Sequence, residues 1–253
     1  MLRNNATFLP ALLPALLMLN ICMPASAAFI AGDRILVDLG QTAHESGTAT
    51  TPATDGNYWN NFALAANDTT TPPTTLVADL IRASDGTATG GLLEIAASTF
   101  DNVGIGGADN PNASQTNAMP ASATRDTFFF NASNNDPKSA TLEFRNLDTS
   151  LTYDLSIFGS VPSGTRPLTE ITVDSVTQSY NPVDNGETGT GTNTADFIGL
   201  SPDSNGTISF VVTLDGAGAG HINTIELTVV PEPASLSLMA VVGLVVLRRG
   251  RRS

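Results

Sequence analysis

The stretch LTYDLSIFG, residues 151–159, decides the fold class. Its apolar residues alternate with Thr, Asp and Ser, and a period of two is typical of a β-strand that buries one face. The same alternation recurs in GTISFVVTLDG, residues 206–216, and in INTIELTVV, residues 222–230. These three segments are therefore predicted to be half-buried strands packed on one core.

Six further segments have the same character: RILVDLG, TLVADLIRA, LLEIAAS, DTFFFNA, SATLEFRNL and EITVDSVTQSY. Turn-forming clusters such as SPDSNG and NNDPKS separate them, and no window before the C-terminal tail has the period of an amphipathic helix. Strands without crossover helices favour a single antiparallel β-sandwich of roughly eight to ten strands. Its predicted core is formed by Leu142, Phe144, Tyr153, Leu155, Ile157, Ile208, Phe210, Val212, Ile225 and Leu227.

The first 27 residues have the pattern of a secretory signal peptide. Arg3 precedes the apolar stretch FLPALLPALLML, and PASAA then supplies Ala25 and Ala27 as the small residues that a signal peptidase accepts. We predict export with cleavage after Ala27. The only cysteine, Cys22, lies inside this leader, so the mature chain has no disulfide.

The body of the chain is acidic. Arg3 and the four tail arginines account for five of the 11 basic residues, and Glu232 for one of the 24 acidic ones, which leaves 6 basic and 23 acidic residues and a charge of −17 in residues 28–231. Phosphate binding requires basic surface, so nucleic acid is excluded as a partner. The acidity suits a soluble extracytoplasmic domain.

The tail VPEPASLSLMAVVGLVVLRRGRRS, residues 230–253, is the second unusual feature. Its apolar run of 14 residues, 234–247, is shorter than the about 20 residues of an ordinary membrane span. Four arginines follow it and favour a cytoplasmic C-terminus. The prolines, the glutamate and the arginines of this tail are Pro231, Glu232, Pro233, Arg248, Arg249, Arg251 and Arg252.

This combination resembles the PEP-CTERM sorting signal of Gram-negative environmental bacteria. The resemblance implies that an exosortase, a membrane protease-transpeptidase, cuts near Pro231–Glu232–Pro233 and passes the protein from a transient inner-membrane position to the cell surface or extracellular matrix. The apolar run would hold the substrate in the membrane, and the arginines would stop it from slipping through. An ordinary tail anchor is the alternative.

The body also resembles a known class of domain. ILVDLGQT, GNYWNN, LTYDLSIFGS, GLSPDSNGTISFVV and GHINTIELTVVPEP are similar, in this order, to blocks of jelly-roll domains in PEP-CTERM proteins of planctomycetes and verrucomicrobia. Those domains look like galactose-binding-like or carbohydrate-binding-like sandwiches. The resemblance implies one domain over residues 28–229, between the signal peptide at 1–27 and the sorting signal at 230–253, but it does not by itself imply sugar binding.

Tyr58, Trp59 and Asn60 are the candidate ligand-binding residues. Sugars stack on aromatic rings and form hydrogen bonds with amide side chains, and NYWNNF offers both. The alternative is that Trp59, the only tryptophan, packs in the core, because aromatic residues dominate such cores. Adjacent residues of a strand point to opposite faces, so Tyr58 and Trp59 cannot both face one ligand.

Residues for catalysis or metal binding do not form a recognisable motif. The two histidines, His44 and His221, are predicted to have structural or solvated roles, and no nucleophile elbow, zinc-protease motif or phosphate-binding loop occurs. The oxygen-rich stretches DNVGIGGADN, residues 101–110, and VDNGETG, residues 183–189, are interpreted as turns. No catalytic residue, protein metal site or obligatory cofactor is predicted; calcium is retained as a candidate ligand of those stretches.

The sequence thus predicts a non-catalytic surface or matrix protein. Its predicted partners are the export machinery and signal peptidase, an exosortase-type enzyme and extracellular polysaccharide. One alternative is a purely structural envelope or biofilm component without a specific ligand. Another is a polysaccharide hydrolase, which would need two carboxylates beside a cleft.

Overall fold

The computed structural model describes residues 28–41, 45–48, 50–64, 77–98, 102–104, 119–132, 138–162, 164, 166–183 and 193–230. The predicted signal peptide at 1–27 and residues 231–253 of the predicted sorting signal lie outside these ranges and stay predictions. Within the described ranges, no helix is long and apolar enough to cross a membrane.

Fourteen strands and one short helix make up the described body. The strands are β1 Arg34–Gln41, β2 Asn60–Leu64, β3 Val77–Ile81, β4 Ala88–Ser98, β5 Asn102–Gly104, β6 Thr127–Ala132, β7 Ala140–Arg145, β8 Thr152–Phe158, β9 Leu168–Val173, β10 Val176–Tyr180, β11 Thr194–Leu200, β12 Ile208–Asp215, β13 Gly218–Ile222 and β14 Thr224–Val230; helix α1 is Ala121–Arg125.

Two larger sheets form a β-sandwich. The five-stranded sheet has the order β11-β8-β14-β1-β2, the six-stranded sheet has the order β10-β9-β12-β7-β4-β3, and a small third sheet has the order β13-β6-β5. The strand pairs of these sheets are antiparallel except for β1 and β2, which run parallel with Val37 opposite Asn60. The predicted antiparallel all-β architecture is therefore confirmed, with one parallel pair at the edge of the five-stranded sheet.

The core joins the two larger sheets in one apolar cluster. Each of the ten core residues predicted from alternation is buried, with an exposed fraction of 3% or less. Strand β7 shows why: its residues alternate between buried and half-buried positions, as a pleated strand with one covered face requires. Full burial of each large apolar side chain contributes about 1.5–3 kcal/mol, so the alternation itself drives the packing of the sheets.

Amide side chains close both edges of the sandwich. At one edge, the side chain of Asn60 on β2 accepts a hydrogen bond from the backbone N–H of Ile81 on β3, 2.7 Å away. At the other edge, the Gln178 side chain on β10 donates to the backbone oxygen of Asp196 on β11 and accepts from its N–H at 3.3 Å. Each amide stands in for a backbone ladder bond between the sheets and covers polar edge groups.

The structure contains more strands than the sequence predicts. β2, β5, β11 and β13 are additional, and residues 170–180, predicted as one strand, form the hairpin of β9 and β10. Asp174 and Ser175 turn this hairpin with φ values of 46° and 71°. Two positive φ values suit the twist of a two-residue hairpin turn. Neither residue is glycine, which is the usual sequence signal of such a turn.

Candidate functional site

Trp59 is buried, with 1% of its surface exposed. Its ring lies in a small cluster with Leu36, Ala83 and Ala123, and its Nε1–H donates to Asp55 Oδ2 at 3.3 Å. A buried indole paired in this way is a packing residue. The ring is therefore covered by apolar neighbours, whereas the neighbouring Tyr58 is half-buried.

Asn60 uses its whole amide group to hold backbone. Its Nδ2 donates to Leu36 O at 2.9 Å and to Ile81 O at 3.1 Å, while its Oδ1 accepts from the Ile81 N–H. An amide can make about four hydrogen bonds, and three are taken here in a buried position. Ligand binding by Tyr58, Trp59 and Asn60 stays a prediction; the observed contacts of the last two are structural.

The two ends of the sandwich are formed by different strand termini. One of them is named the loop end. It is the end where β8 finishes at Phe158, opposite Thr224, the first residue of β14, and opposite Thr194, the first residue of β11. The six-stranded sheet reaches the same place, because Val161 N donates to Pro182 O just beyond β10 at 2.6 Å. Both larger sheets therefore contribute strand ends to it.

The directions of the strands show at which end of the sandwich the other strands begin and finish. By their registers, β1, β2, β4 and β10 also finish at the loop end, and β3, β7 and β9 begin there. These strand ends border the undescribed stretches 42–44, 65–76, 99–101 and 184–192. The opposite end, here named the terminus end, carries the described turns 82–87, 146–151, 174–175 and 201–207. Ligand sites of sandwiches commonly lie at one end of the two sheets, and the loop end is the candidate.

Asn223 organises the loop end from the short break between β13 and β14. Its Nδ2 donates to Thr124 O at 2.9 Å and Asp126 O at 2.6 Å, and its Oδ1 accepts from Ser160 N at 2.6 Å. The side chain is fully buried. One amide thus fixes the chain after β8 against the segment that follows α1. An asparagine inside an apolar run is a weak sequence signal of such a role.

His221, on β13, is buried without a hydrogen bond to either ring nitrogen. Its ring stacks on Phe129 of β6, with 6.0 Å between the ring centroids. Burial lowers the pKa of His221 to about 4, and the charge of Arg166 acts in the same direction. His221 is therefore neutral at physiological pH.

Replacing His221 by phenylalanine should remove a pH-dependent part of the stability. The folded imidazole stays neutral down to about pH 4, whereas the unfolded chain binds a proton below about pH 6.5. The unfolded state therefore binds more protons in between, and the wild type should lose up to about 3 kcal/mol as pH falls through this window. Urea unfolding should show a flatter pH dependence for His221→Phe. Equal pH slopes would mean that the folded imidazole takes up a proton normally.

Other polar atoms at the loop end share this lack of partners. Ser160 Oγ, Asn193 Nδ2 and Arg166 Nε are buried and make no hydrogen bond. Ser160 and Asn193 lie on connected backbone, since Gly159 N donates to Asn193 O at 3.1 Å. Buried polar groups in folded proteins are nearly always paired with protein, water or ligand. The loop end is therefore a place where water or a polar ligand is expected.

A cavity of about 350 Å³ at the terminus end shows the contrast. Phe29, Asn146 and Asp148 are among its lining residues. The Asp148 carboxylate already accepts from Ser150 N at 2.9 Å and from its hydroxyl at 2.6 Å. The principal acidic group of this cavity is thus engaged in a local turn, and the cavity offers less unused polar capacity than the loop end.

The predicted calcium stretches are largely outside the described ranges. Of residues 101–110 and 183–189, only β5 and Val183 are described, and His44 is not described. In the described part of the chain, no three His, Cys, Asp or Glu side chains are grouped to hold a metal ion. The interpretation of both stretches as turns stays a prediction.

Comparison with known proteins gives distant structural similarity. No family model and no curated protein matches the chain. The solved structures with similarity include the ANX2 ectodomain from Arabidopsis thaliana, at 16% identity and a TM-score of 0.41, over 54% of this chain and 42% of that one. They also include CBM35 from Cellvibrio japonicus Abf62, at 16% identity and a TM-score of 0.29, over 56% of this chain and 94% of that one. The chain therefore spans less than half of the ANX2 ectodomain.

Proposed function

We propose that this chain is a non-catalytic surface protein that is exported, sorted by an exosortase, and binds extracellular polysaccharide through its loop end. The body is a jelly-roll domain of the galactose-binding-like or carbohydrate-binding-like class. One observation carries the proposal: the unpaired polar groups lie at the end of the sandwich opposite to the one where both ends of the described body emerge.

Both ends of the body are fastened together at the terminus end. Gly32 N donates to Val229 O at 2.9 Å, and Val229 N donates to Asp33 O at 2.8 Å. The chain therefore enters the body beside the last residues of β14. A tail that continues from Val230 leaves from this end, so attachment through the tail would turn the loop end away from the membrane or the attachment point.

Sorting rests on the sequence of the tail. Pro231 and Pro233 each fix their own φ and bias the residue before them away from helix, which presents Glu232 in an extended peptide suited to a protease. The four arginines hold the C-terminus in the cytoplasm until cleavage. The protein is thereby placed transiently in the inner membrane and finally on the cell surface or in the matrix.

The chemistry of the loop end suits sugar hydroxyls. Arg166 and Phe129 are half-buried and supply a charged donor and an aromatic ring that a sugar can reach, and Ser160, Asn193 and His221 are buried neutral polar groups at the same end. Ligand sites commonly combine a few placed polar groups with apolar and aromatic surface. Nucleic acid remains an unsuitable partner for a body with a charge of −17.

The binding proposal is tested with matrix polysaccharide from the producing cells and the chain ending at Val230. Arg166→Ala should weaken binding by about tenfold, which corresponds to a charged hydrogen bond of about 1.4 kcal/mol. Arg145→Ala is the matched control, because Arg145 lies at the terminus end in ion pairs with Glu94 and Glu143.

Each outcome of this experiment separates the functions. Equal affinities of the two variants would remove the loop end as the site, and absence of binding to every polysaccharide fraction would leave the structural envelope component. Release of sugar from the polysaccharide would instead favour a hydrolase. Mass spectrometry of the mature C-terminus tests the sorting half separately: Ser253 still attached to the surface protein would leave a plain tail anchor.

A further inference from the structure

Three large apolar side chains are exposed at the terminus end. The exposed fraction is 82% for Ile198, 59% for Ile30 and 55% for Val176. Ile30 lies just before β1, Val176 is the first residue of β10, and Ile198 lies near the end of β11. Leu168, the first residue of β9 at the loop end, is only 38% exposed. Ile30, Val176 and Ile198 are here called the apolar group.

Val176 and Ile198 lie at the same level of the seam between the two larger sheets. The Gln178 side chain of β10 contacts the backbone of Asp196 on β11, and these two strands run in opposite directions. Val176 comes two residues before Gln178, toward the terminus end. Ile198 comes two residues after Asp196, toward the same end. The seam therefore carries two apolar side chains next to the terminus end.

Ile30 lies on the other side of the point where the tail leaves the body. Gly32 N donates to Val229 O at 2.9 Å, which places the turn that contains Ile30 beside the last residues of β14. In the five-stranded sheet, β14 has β1 on one side and β8, followed by β11, on the other. The root of the tail at Val230 is therefore flanked by Ile30 and, two strands away, by Ile198.

The apolar run of the tail begins close to this root. Residues 231–233 separate Val230 from the run 234–247, and four residues of extended chain span at most about 14 Å. Neighbouring strands are about 4.8 Å apart, so β11 is about 10 Å from β14. Once the run 234–247 lies in a bilayer, the apolar group is therefore within reach of the bilayer surface.

We propose that the apolar group docks the terminus end on the inner-membrane surface while the tail is still in the bilayer. The inference rests on the membrane stage of the proposed function and assigns to it a surface of the body. Apolar side chains on a peripheral surface enter about 5–10 Å into the boundary between headgroups and acyl chains. Because the tail already holds the body at the membrane, docking is an intramolecular step, and a few side chains suffice for it.

Docking would fix the depth of the predicted processing site. A body that is free to swing about residues 231–233 presents Pro231–Glu232–Pro233 at varying heights and angles. A body that is held through its terminus end presents this peptide at one depth, to an enzyme that is itself in the membrane. The loop end then faces away from the bilayer.

Carboxylates beside the apolar group decide which lipids suit it. Asp154 lies next to Ile198, since it accepts from Gly199 N at 2.8 Å, and Asp174 comes two residues before Val176. Like charges repel across a short distance, so anionic headgroups oppose the contact. The proposed partner is therefore a zwitterionic lipid surface, which the body contacts through apolar side chains.

The test uses the chain 28–253, which contains the whole described body and no cysteine. It is reconstituted in vesicles of phosphatidylcholine and phosphatidylethanolamine that carry a fluorescence quencher on some headgroups. A small fluorophore on Ser204→Cys reports on the terminus end, and one on Ala217→Cys reports on the loop end, because both residues are exposed. Docking should quench the label at 204 and leave the label at 217, about 25 Å away along the strands, unquenched.

The triple variant Ile30→Ser, Val176→Ser and Ile198→Ser should lower the ratio of quenched to unquenched label at 204 by about tenfold or more. Each substitution removes apolar area from the contact with the bilayer. Leu168→Ser is the matched control, because it removes an exposed apolar side chain at the loop end, and it should leave the quenching unchanged. Surface substitutions of this kind should leave the body folded, and Ile198→Ser alone gives the same comparison if the triple variant fails to fold.

Equal quenching at 204 in the wild type and the variant, with both chains still in the vesicles, would overturn the proposal and leave the membrane stage of the proposed function intact. Quenching that requires anionic lipid would overturn it in favour of a charge contact. Quenching that requires a high density of protein would assign the apolar group to a second copy of the chain. A chain 28–253 that does not sediment with vesicles would refute the membrane stage itself, and the proposal with it.

Discussion

Replacing Arg82 by alanine should lower the free energy of unfolding by about 3–5 kcal/mol. Arg82 Nε donates to Asp33 Oδ2 at 2.8 Å, and its Nη2 donates to Ala28 O at 2.6 Å. The side chains are only 10% and 7% exposed. After removal of the guanidinium, the buried Asp33 carboxylate keeps the hydrogen bond from the Ile30 N–H, at 2.8 Å, but has lost its counter-charge. The loss of unfolding free energy is large because this charge stays desolvated without compensation.

Arg34→Ala provides the matched comparison. Arg34 forms a two-pronged ion pair with Glu226 at 2.8 and 3.1 Å, but its side chain is 43% exposed. Water can solvate Glu226 after the substitution, so the loss should stay below about 1 kcal/mol. Urea unfolding, monitored by the fluorescence of Trp59, measures the loss of unfolding free energy in Arg82→Ala and in Arg34→Ala. Similar losses for the two variants would show that the Arg82 pair is not desolvated in solution.

Replacing Asn60 by alanine should cost about 3 kcal/mol or more. The substitution leaves three backbone groups without their partner, namely Leu36 O, Ile81 O and Ile81 N. Each unsatisfied buried group costs about 1–3 kcal/mol, whereas an exposed group regains a bond with water. The edge between β2 and β3 should open first, because the Asn60 amide joins the two larger sheets there.

Asn57→Ala is the control for this experiment. Asn57 Nδ2 donates to Asp55 Oδ2 at 2.8 Å, but the residue is half-buried and its partner lies two residues earlier in the same loop. The loss of unfolding free energy in Asn57→Ala should be below about 1 kcal/mol. Asn60→Asp tests the mechanism further, since a carboxylate can accept from Ile81 N but cannot donate to either carbonyl. A small effect of Asn60→Ala would mean that water replaces the amide and that the edge is open.

The extra strands and the hairpin show where local pattern stopped being informative. β13, with the sequence GAGHI, has little apolar alternation, and it pairs with β6 through its backbone. The turn at Asp174 and Ser175 has positive φ values without glycine. Pairing and turn geometry of this kind are maintained by neighbouring strands, whose identity is not encoded within the segment itself.

The candidate site was less accessible to sequence than the fold. The aromatic segment around Trp59 suggested a sugar-stacking residue, but in the structure this ring is covered by Leu36, Ala83 and Ala123. The groups that stand out instead, Asn223 and His221, contact residues far along the chain. Their burial could not be inferred from residue type, because asparagine is mostly exposed in proteins and histidine is intermediate.

The sequence by itself determined the strongly alternating strands and which of their faces are apolar. Side chains of a strand point alternately to its two faces. Leu142, Tyr153, Phe210 and Leu227 could therefore be placed in the core from alternation alone. Tertiary structure decided which strands pair, which end collects the buried polar groups, and that Arg82 meets Asp33. These properties depend on contacts between distant segments, and both the desolvation of a charge and the pairing of an amide are set by what packs around them.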